Sequence, residues 1–114
     1  MTEQPDRQRG ILRELPMATD DAWTAARAAL LKALADPTRL SMVAALRRAS
    51  APVCICDFTA AYELTQPTIS HHMARLRAAG LVDACRRGIW VYYSLRADLP
   101  AGVLRLLEAV LAAA

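Results

Sequence analysis

Three residues near the middle of the chain have the chemistry of a soft-metal site. Cys54, Cys56 and Asp57 lie within the stretch VCICDF. In an extended segment residues two apart point to the same side, so the two thiols can converge while Val53 and Ile55 face inward. Cys56 also precedes a predicted helix, whose N-terminal dipole favours a thiolate. Thiolates select ions such as As(III), Cd(II), Pb(II), Cu(I) or Zn(II).

The cysteines also allow two other interpretations. Cys54 and Cys56 could be inert buried thiols, or a redox pair, since adjacent accessible thiols oxidise readily. Cys85 lies in a predicted strand, nothing in the sequence places it near Cys54, and a small packed residue is its simplest interpretation. The chain opens with MTEQPDRQRG, which has no apolar signal region, and no run of about 18 apolar residues suggests a membrane span. We expect a cytoplasmic protein with reduced thiols.

The elements that must position these residues are mainly helical. The 114 residues fit one small domain, and 55% apolar but 5% aromatic content favours closely packed helices. Residues 1–19 are predicted to be a flexible arm and residues 20–114 the folded domain. Apolar periodicity, with Asp36, Asp57 and Thr65 as N-caps, predicts helices over residues 21–35, 37–49, 58–64, 66–79 and 101–112.

A change of period after residue 80 predicts a β-hairpin. LVDAC and IWVYYSL alternate with period two, and Arg86, Arg87 and Gly88 separate them. Two helices joined by a short turn and followed by a hairpin form a winged helix-turn-helix. The expected fold class is therefore mainly α with a β-hairpin wing.

The helix after Thr65 has the composition of a DNA recognition helix. Its sequence, TQPTISHHMARLRAAG, divides into an apolar face and a polar face with small alanines. Such a polar face can enter a major groove, while the arginines of the hairpin tip meet backbone phosphate. An ordinary amphipathic helix with a solvated face is the alternative. The predicted DNA-binding residues are Gln66, Thr68, Ser70, His71, Arg75, Arg77, Arg86 and Arg87.

Four stretches together resemble the ArsR/SmtB family of metal-responsive repressors: LKALADPTRLSMVAAL, CICDF, LTQPTISHHMARLRAAGLV and RRGIWVYYSL. The resemblance implies a winged helix-turn-helix homodimer paired through its first and last helices. It also implies binding to double-stranded operator DNA and release when a metal binds. The apolar last helix, AGVLRLLEAVLAAA, agrees with a partner surface because it has few charges on any side.

In this family a CxCD sequence before the turn is a soft-metal site, which Cys54, Cys56 and Asp57 match. The resemblance favours As(III), with Zn, Ni or Cd as alternatives. Many members carry a third cysteine three residues after the second, and here that residue is Thr59. An external thiol, water, Cys85 or a carboxylate of the arm could complete the site. No histidine follows His72, so we expect no metal site on the last helix.

The sequence also bears on functions other than ion-dependent repression. The chain has no Gly-rich phosphate loop, no HExxH and no Ser/His/Asp order, so it is not expected to be an enzyme. A winged-helix regulator could instead respond to another ion, to a redox signal or to a protein co-regulator, and it could activate transcription.

Overall fold

A computed structural model of the chain describes residues 13–17 and 20–112. Residues 13–17 are exposed and form neither helix nor strand. The remainder of the predicted arm, residues 1–12, 18 and 19, lies outside the described residues. Eight elements follow in chain order: α1 Asp21–Leu34, α2 Pro37–Arg48, β1 Val53–Cys54, α3 Ile55–Tyr62, α4 Gln66–Ala78, β2 Val82–Arg87, β3 Trp90–Leu95 and α5 Ala101–Leu111.

Side-chain caps explain where three of the helices begin. Asp20 accepts a hydrogen bond from the Trp23 amide at the start of α1. Asp36 and Thr65 cap α2 and α4 in the same way, and each is followed within two residues by a proline in the first helical turn. Proline is tolerated there because the first turn leaves its amides unbonded. These starts match the sequence predictions to within a residue.

The third helix begins earlier than predicted. It starts at Ile55, and its N-cap is Cys54, so the assignment of Asp57 as the cap was wrong. The helix is followed by Glu63 in the left-handed conformation (φ 53°), which turns the chain sharply towards α4. As a result Cys56 and Asp57 belong to the first turn of α3 rather than to an extended segment before it.

The hairpin is part of a three-stranded antiparallel sheet with strand order β1-β3-β2. The two-residue strand β1 was not predicted, because it is too short to show alternation. The hairpin turn is formed by Gly88, with φ +63°, and Ile89. Arg86 and Arg87 are therefore the last residues of β2. The sequence analysis had placed them in the turn between the strands, which was wrong.

One continuous core holds the sheet and helices together. Met42 and Val43 of α2, and Ile69, Met73 and Leu76 of α4, are fully buried against each other and against the sheet. Around them lie the other buried side chains, which are Ala33, Leu34, Leu46, Cys54, Ile55, Phe58, Leu81, Val82, Tyr93 and Leu107. None of the helices within the described residues is long and apolar enough to cross a membrane.

Candidate functional site

The two cysteines of the CxC sequence face each other at the start of α3. The Sγ atoms of Cys54 and Cys56 are 2.7 Å apart, and the Cys56 amide points at the Cys54 sulfur from 3.4 Å. Cys54 is buried and Cys56 is half-buried. The thiols converge as predicted, but through the N-cap position of Cys54 rather than through strand alternation, and Ile55 is buried at 4% exposure.

Proximity of the two sulfurs raises the pKa of the Cys56 thiol. The main cause is the hydrogen bond to Cys54, followed by desolvation and by the negative charges of Cys54 and Asp57. A hydrogen bond from an Asp57 backbone group acts in the opposite direction but is the smallest contribution. Cys56 lies in the first turn of α3, where the helix dipole favours a thiolate, but the contact with Cys54 raises the pKa of its thiol.

The residues around the pair offer few further donors. Asp57 is exposed, and no group of three His, Cys, Asp or Glu side chains positioned for a metal ion occurs among residues 13–17 and 20–112. Thr59, at the position where many family members have a third cysteine, donates its hydroxyl to the carbonyl of Cys56 at 2.9 Å. Among residues 13–17 and 20–112, the donors that the structure brings into contact are the two sulfurs, with the exposed carboxylate of Asp57 next to them in sequence.

These two sulfurs fit a soft ion with only a small adjustment. Two thiolates on one ion with bonds of about 2.3 Å are separated by about 3.8 Å in tetrahedral geometry. The sulfurs must move apart by about 1.1 Å from the observed 2.7 Å to reach this spacing, and Cys56 is the less buried of the two. The pair therefore suits a thiophilic ion.

Cys85 lies in the same row of the sheet but on the far strand. Tyr92 of β3 pairs with Cys54 on one side and with Cys85 on the other. Two strand spacings separate the Cα atoms of Cys54 and Cys85 by about 10 Å. Cys85 is exposed, and this separation together with the intervening Tyr92 keeps its sulfur away from the pair.

Tyr92 is a residue that the sequence analysis missed. The Arg87 guanidinium lies over its ring, 4.9 Å from the centroid. Tyr92 therefore pairs with Cys54 across the sheet, and its ring lies against Arg87 near the end of the wing. Alternation along β3 could have indicated that Tyr92 and Trp90 share a face, but only the register of β1 brings that face to Cys54.

The recognition helix presents its predicted polar face to solvent. Ile69, Met73 and Leu76 are completely buried, as predicted, and the Nδ1 atom of His72 is buried without a hydrogen-bond partner. The predicted DNA-facing residues are all exposed: Gln66, Thr68, Ser70, His71, Arg75 and Arg77. Ala74 and Ala78 are exposed between them and leave room for close approach to another surface.

The wing carries both charge and apolar surface at its tip. Arg86 and Arg87 are exposed, and Ile89 is 80% exposed. Trp90 adds a further 40% exposed ring beside them. This tip and the polar face of α4 are the two parts of the predicted nucleic-acid surface.

Helices α1 and α5 border an apolar cleft of 700 Å³. Leu30 and Leu31 of α1 line it together with Val103 and Leu106 of α5. Leu31 is 54% exposed, and only Leu107 of α5 is fully buried. The single chain therefore leaves much of the apolar surface of both helices uncovered.

Comparison with known proteins bears directly on this arrangement. Residues 36–84, from the cap of α2 into β2, match the family model described as bacterial regulatory protein, arsR family. The chain is 39% identical to the arsenical resistance operon repressor of Escherichia coli, over 69% of this chain and 67% of that repressor. The chain belongs to the arsR family of regulatory proteins. The family predicted from the sequence is confirmed.

Two further proteins support the family assignment and the fold. The chain is 43% identical to the arsenic resistance transcriptional regulator ArsR1 of Pseudomonas putida, over 71% of this chain and 62% of that protein. Its fold matches the homodimeric winged helix-turn-helix DNA-binding domain Mb0332 of Mycobacterium bovis with a TM-score of 0.66, at 27% identity over 82% of this chain and 84% of that domain. The predicted winged helix-turn-helix and the predicted regulator, rather than enzyme, are thus confirmed.

Proposed function

We propose that this arsR-family regulator is a repressor that leaves its operator when a thiophilic ion, As(III) foremost, binds Cys54 and Cys56. The observation that carries the proposal is the 2.7 Å separation of the two sulfurs at the start of α3. The relatives from E. coli and P. putida, both named for arsenic resistance, support As(III) over Zn, Ni and Cd. Asp57 is retained as a third candidate ligand, exposed beside the pair.

Operator binding is assigned to the exposed face of α4 and to the wing. The basic and hydroxyl side chains of α4 suit the major groove, and Arg86 and Arg87 suit phosphates beside it. The chain has a net charge of +3, which agrees with an anionic partner. The eight residues predicted from the sequence are those we assign to DNA contact: Gln66, Thr68, Ser70, His71, Arg75, Arg77, Arg86 and Arg87.

A twofold homodimer completes the assignment. A second copy placed over α1 and α5 would cover the apolar cleft that Leu31 lines at 54% exposure. The same helices carry further exposed apolar side chains outside the cleft, Trp23 at 45% and Val110 at 45% exposure. The homodimeric Mb0332 domain supports this. A twofold dimer places two copies of α4 in successive major grooves, so the operator is expected to be a palindrome.

The switch acts through the position of α3. This helix packs against α4 and β3, with Phe58 edge-on to Tyr93 at 6.4 Å. The hydroxyl groups of Tyr62 and Ser41 are 2.7 Å apart, which ties α3 to α2. When the sulfurs hold an ion, the first turn of α3 shifts and the spacing of the two recognition helices changes. A coupling free energy of about 2 to 3 kcal/mol suffices for about a hundredfold loss of DNA affinity.

The same sulfur separation favours one second candidate, a thiol redox signal. Two sulfurs already in contact can form a disulfide when a hydroperoxide takes up their two electrons and two protons. Such a switch would use the same movement of α3. It is distinguished from ion sensing because a reductant reverses it and no ion is required.

Titration of the reduced chain onto a palindromic duplex tests the proposal. The duplex is taken from upstream of the gene for this chain, and As(III), Cd(II), Zn(II) and Ni(II) are added separately. We expect As(III) to lower the affinity of the wild type for the duplex about a hundredfold. The affinity of the double variant Cys54→Ser/Cys56→Ser should not change. Cys85→Ser is the matched control and should respond as the wild type does.

Two outcomes contradict the proposal. If the double variant is released as readily as the wild type, the cysteine pair is not the sensor. If the wild type fails to bind the duplex even at low salt, the assignment of the DNA surface is wrong. Release by hydroperoxide in the absence of every ion supports the redox candidate instead.

A further inference from the structure

The apex of the wing is a two-residue turn that carries an isoleucine. Arg87 and Trp90 are the last cross-strand pair of β2 and β3, and Gly88 and Ile89 connect them. Gly88 has a φ of +63°, and Ile89 has a negative φ, because Glu63 is the only non-glycine residue with a positive φ in the described part of the chain. Among hairpin turns, this order of signs is typical of type II′. Turns commonly select Asn, Asp or Ser, so the turn itself does not require isoleucine.

Packing does not require this isoleucine either. Ile89 is 80% exposed, the highest value for a large apolar side chain among residues 13–17 and 20–112, and Trp90 beside it is 40% exposed. Neither side chain belongs to the core or to the partly buried side chains that pack against it. Adjoining apolar side chains rimmed by polar residues are a feature of interaction sites. The apex of the wing therefore exposes apolar surface that the fold of the single chain does not use.

An arginine flanks this apex on each face of the hairpin. Arg87 lies directly opposite Trp90, and Arg86 lies directly opposite Val91. Because successive side chains of a strand alternate, the two arginines leave opposite faces of the sheet. Both are exposed, and the guanidinium of Arg87 is held over the ring of Tyr92. An apolar apex with a cation on either side matches a groove that has two anionic walls.

The dimensions of DNA decide which groove this apex fits. The major groove is about 12 Å wide and is assigned to α4, whereas the minor groove is about 6 Å wide. Neighbouring strands lie about 4.8 Å apart between their axes, so the two-stranded hairpin with its side chains is too wide for the minor groove. A single side chain at its apex is narrow enough to enter. An A·T pair leaves the floor of the minor groove open, whereas the N2 amino group of guanine projects from it.

We propose that Ile89 enters the minor groove beside the major-groove site of α4 and selects A·T base pairs there by shape. This inference rests on the operator binding proposed for α4 and the wing. It adds a residue that reads sequence to the two arginines that contact phosphate. The apolar side chain packs against the sugars and the floor of the groove, and the guanine amino group would collide with it. This contact supplies affinity without neutralising a phosphate.

Substitution of Ile89 in the full chain tests this inference on the palindromic duplex. Ile89→Asn suits the turn but removes the apolar surface, so operator affinity should fall at least about tenfold while the slope of affinity against salt stays the same. Ile89→Val stays apolar and should lose only about threefold. Leu15→Asn, which changes a side chain that is 74% exposed outside the DNA surface, is the matched control and should bind as the wild type does. Urea denaturation should give the same midpoint for all four proteins.

Base analogues identify the groove. Hydroxyl-radical footprinting locates the sugars that the wild type protects beside each half-site, and the adenines there are replaced by 2,6-diaminopurine. This base keeps the major-groove edge of adenine and adds an amino group to the minor groove. It should weaken the wild type about tenfold and leave Ile89→Asn nearly unaffected. An inosine–cytosine pair lacks the minor-groove amino group of G·C and should bind the wild type as well as A·T does.

Three results overturn the inference. If Ile89→Asn binds the unmodified duplex as tightly as the wild type, the apex does not contact DNA. If diaminopurine weakens both proteins equally, another residue reads the minor groove. If the salt slope falls in Ile89→Asn, the loss comes from displaced arginines. Each result leaves DNA binding by α4 and the response to As(III) intact, whereas a wild type that does not bind the duplex at low salt overturns both the inference and the proposed function.

Discussion

The cysteine segment and the DNA-facing surface are built in opposite ways. The two sulfurs are neighbours in sequence, sit at a helix start and need little of the fold to meet. The polar face of α4 and the arginines of the wing come from separate elements, and the packing of Ile69 and Met73 with the sheet fixes how these elements are placed. The difference teaches that the chemistry of the proposed sensor is local, whereas the effect proposed for it on DNA binding depends on the tertiary structure.

The largest predicted effect concerns the cysteine segment alone and is the release of a proton when a metal ion binds Cys56. Since the pKa of Cys56 is raised, its thiol is protonated at neutral pH, and Zn(II) must displace that proton. Zinc affinity should therefore rise about tenfold per pH unit for this thiol between pH 6 and 8. When uncharged As(OH)₃ binds, each As–S bond replaces an As–O bond, and the hydroxyl leaves with the thiol proton as water. No free proton is released, so arsenite affinity should not change with pH. Calorimetry in two buffers at each pH measures the affinity and the number of protons released for zinc and for arsenite. A zinc affinity that does not change with pH would contradict the assignment of Cys56 as a protonated ligand.

Removal of one wing arginine tests the other side of the comparison. Arg87→Ala should weaken operator binding by about tenfold and lower the slope of affinity against salt by about one, as expected for one lost phosphate contact. The arsenical affinity of the free protein should not change. Arg48→Ala, which removes an exposed arginine of α2, is the matched control for net charge, and an equal loss in that variant would place Arg87 outside the interface.

The cap of the recognition helix lies between the two regions. The Thr65 hydroxyl accepts a hydrogen bond from the Thr68 amide at 3.4 Å. Thr65→Ala should lower the free energy of unfolding by about 1 kcal/mol, while Thr65→Ser keeps the cap and should be near wild type. Urea denaturation measures the change. Equal stability of all three proteins would show that packing of the buried face alone fixes α4.

The smallest predicted effect concerns Tyr92, the link between the regions. Tyr92→Leu removes the ring beneath Arg87, a cation–π contact worth about 0.5 kcal/mol at an exposed site, or roughly a twofold change in operator affinity. Tyr92→Phe keeps a ring and should fall closer to the wild type. Tyr92→Leu could instead leave operator affinity without an ion unchanged and alter only the release caused by an ion. Tyr92 would then couple the cysteine pair to the DNA surface rather than position the wing.

Much of the fold follows from the sequence because local signals agree with the tertiary structure. Proline and a capping side chain set the starts of α2 and α4, and the buried face of α4 follows from the 3.6-residue period. The boundaries of α3 were harder to predict. Cysteine is an unusual N-cap, Asp57 offered a more familiar one, and the strand before the helix is only two residues long.

The candidate site was predictable in its residues but not in its details. The CxC spacing was enough to bring Cys54 and Cys56 together, whereas the raised pKa of Cys56 depends on a 2.7 Å contact that spacing cannot give. The position of Cys85 depends on the strand order β1-β3-β2, which no local pattern encodes. For the same reason Tyr92 was missed, since its importance comes from its neighbours on both sides.

The local origin of the thiol pair also affects how ligands can be discovered. Cys54 and Cys56 remain two residues apart in the denatured chain, which can therefore capture an arsenical as well. A ligand that binds both states raises the melting temperature less than its affinity for the native protein implies. Thermal-shift screening would then rank good effectors of this chain too low, and displacement from a labelled duplex is the more faithful screen.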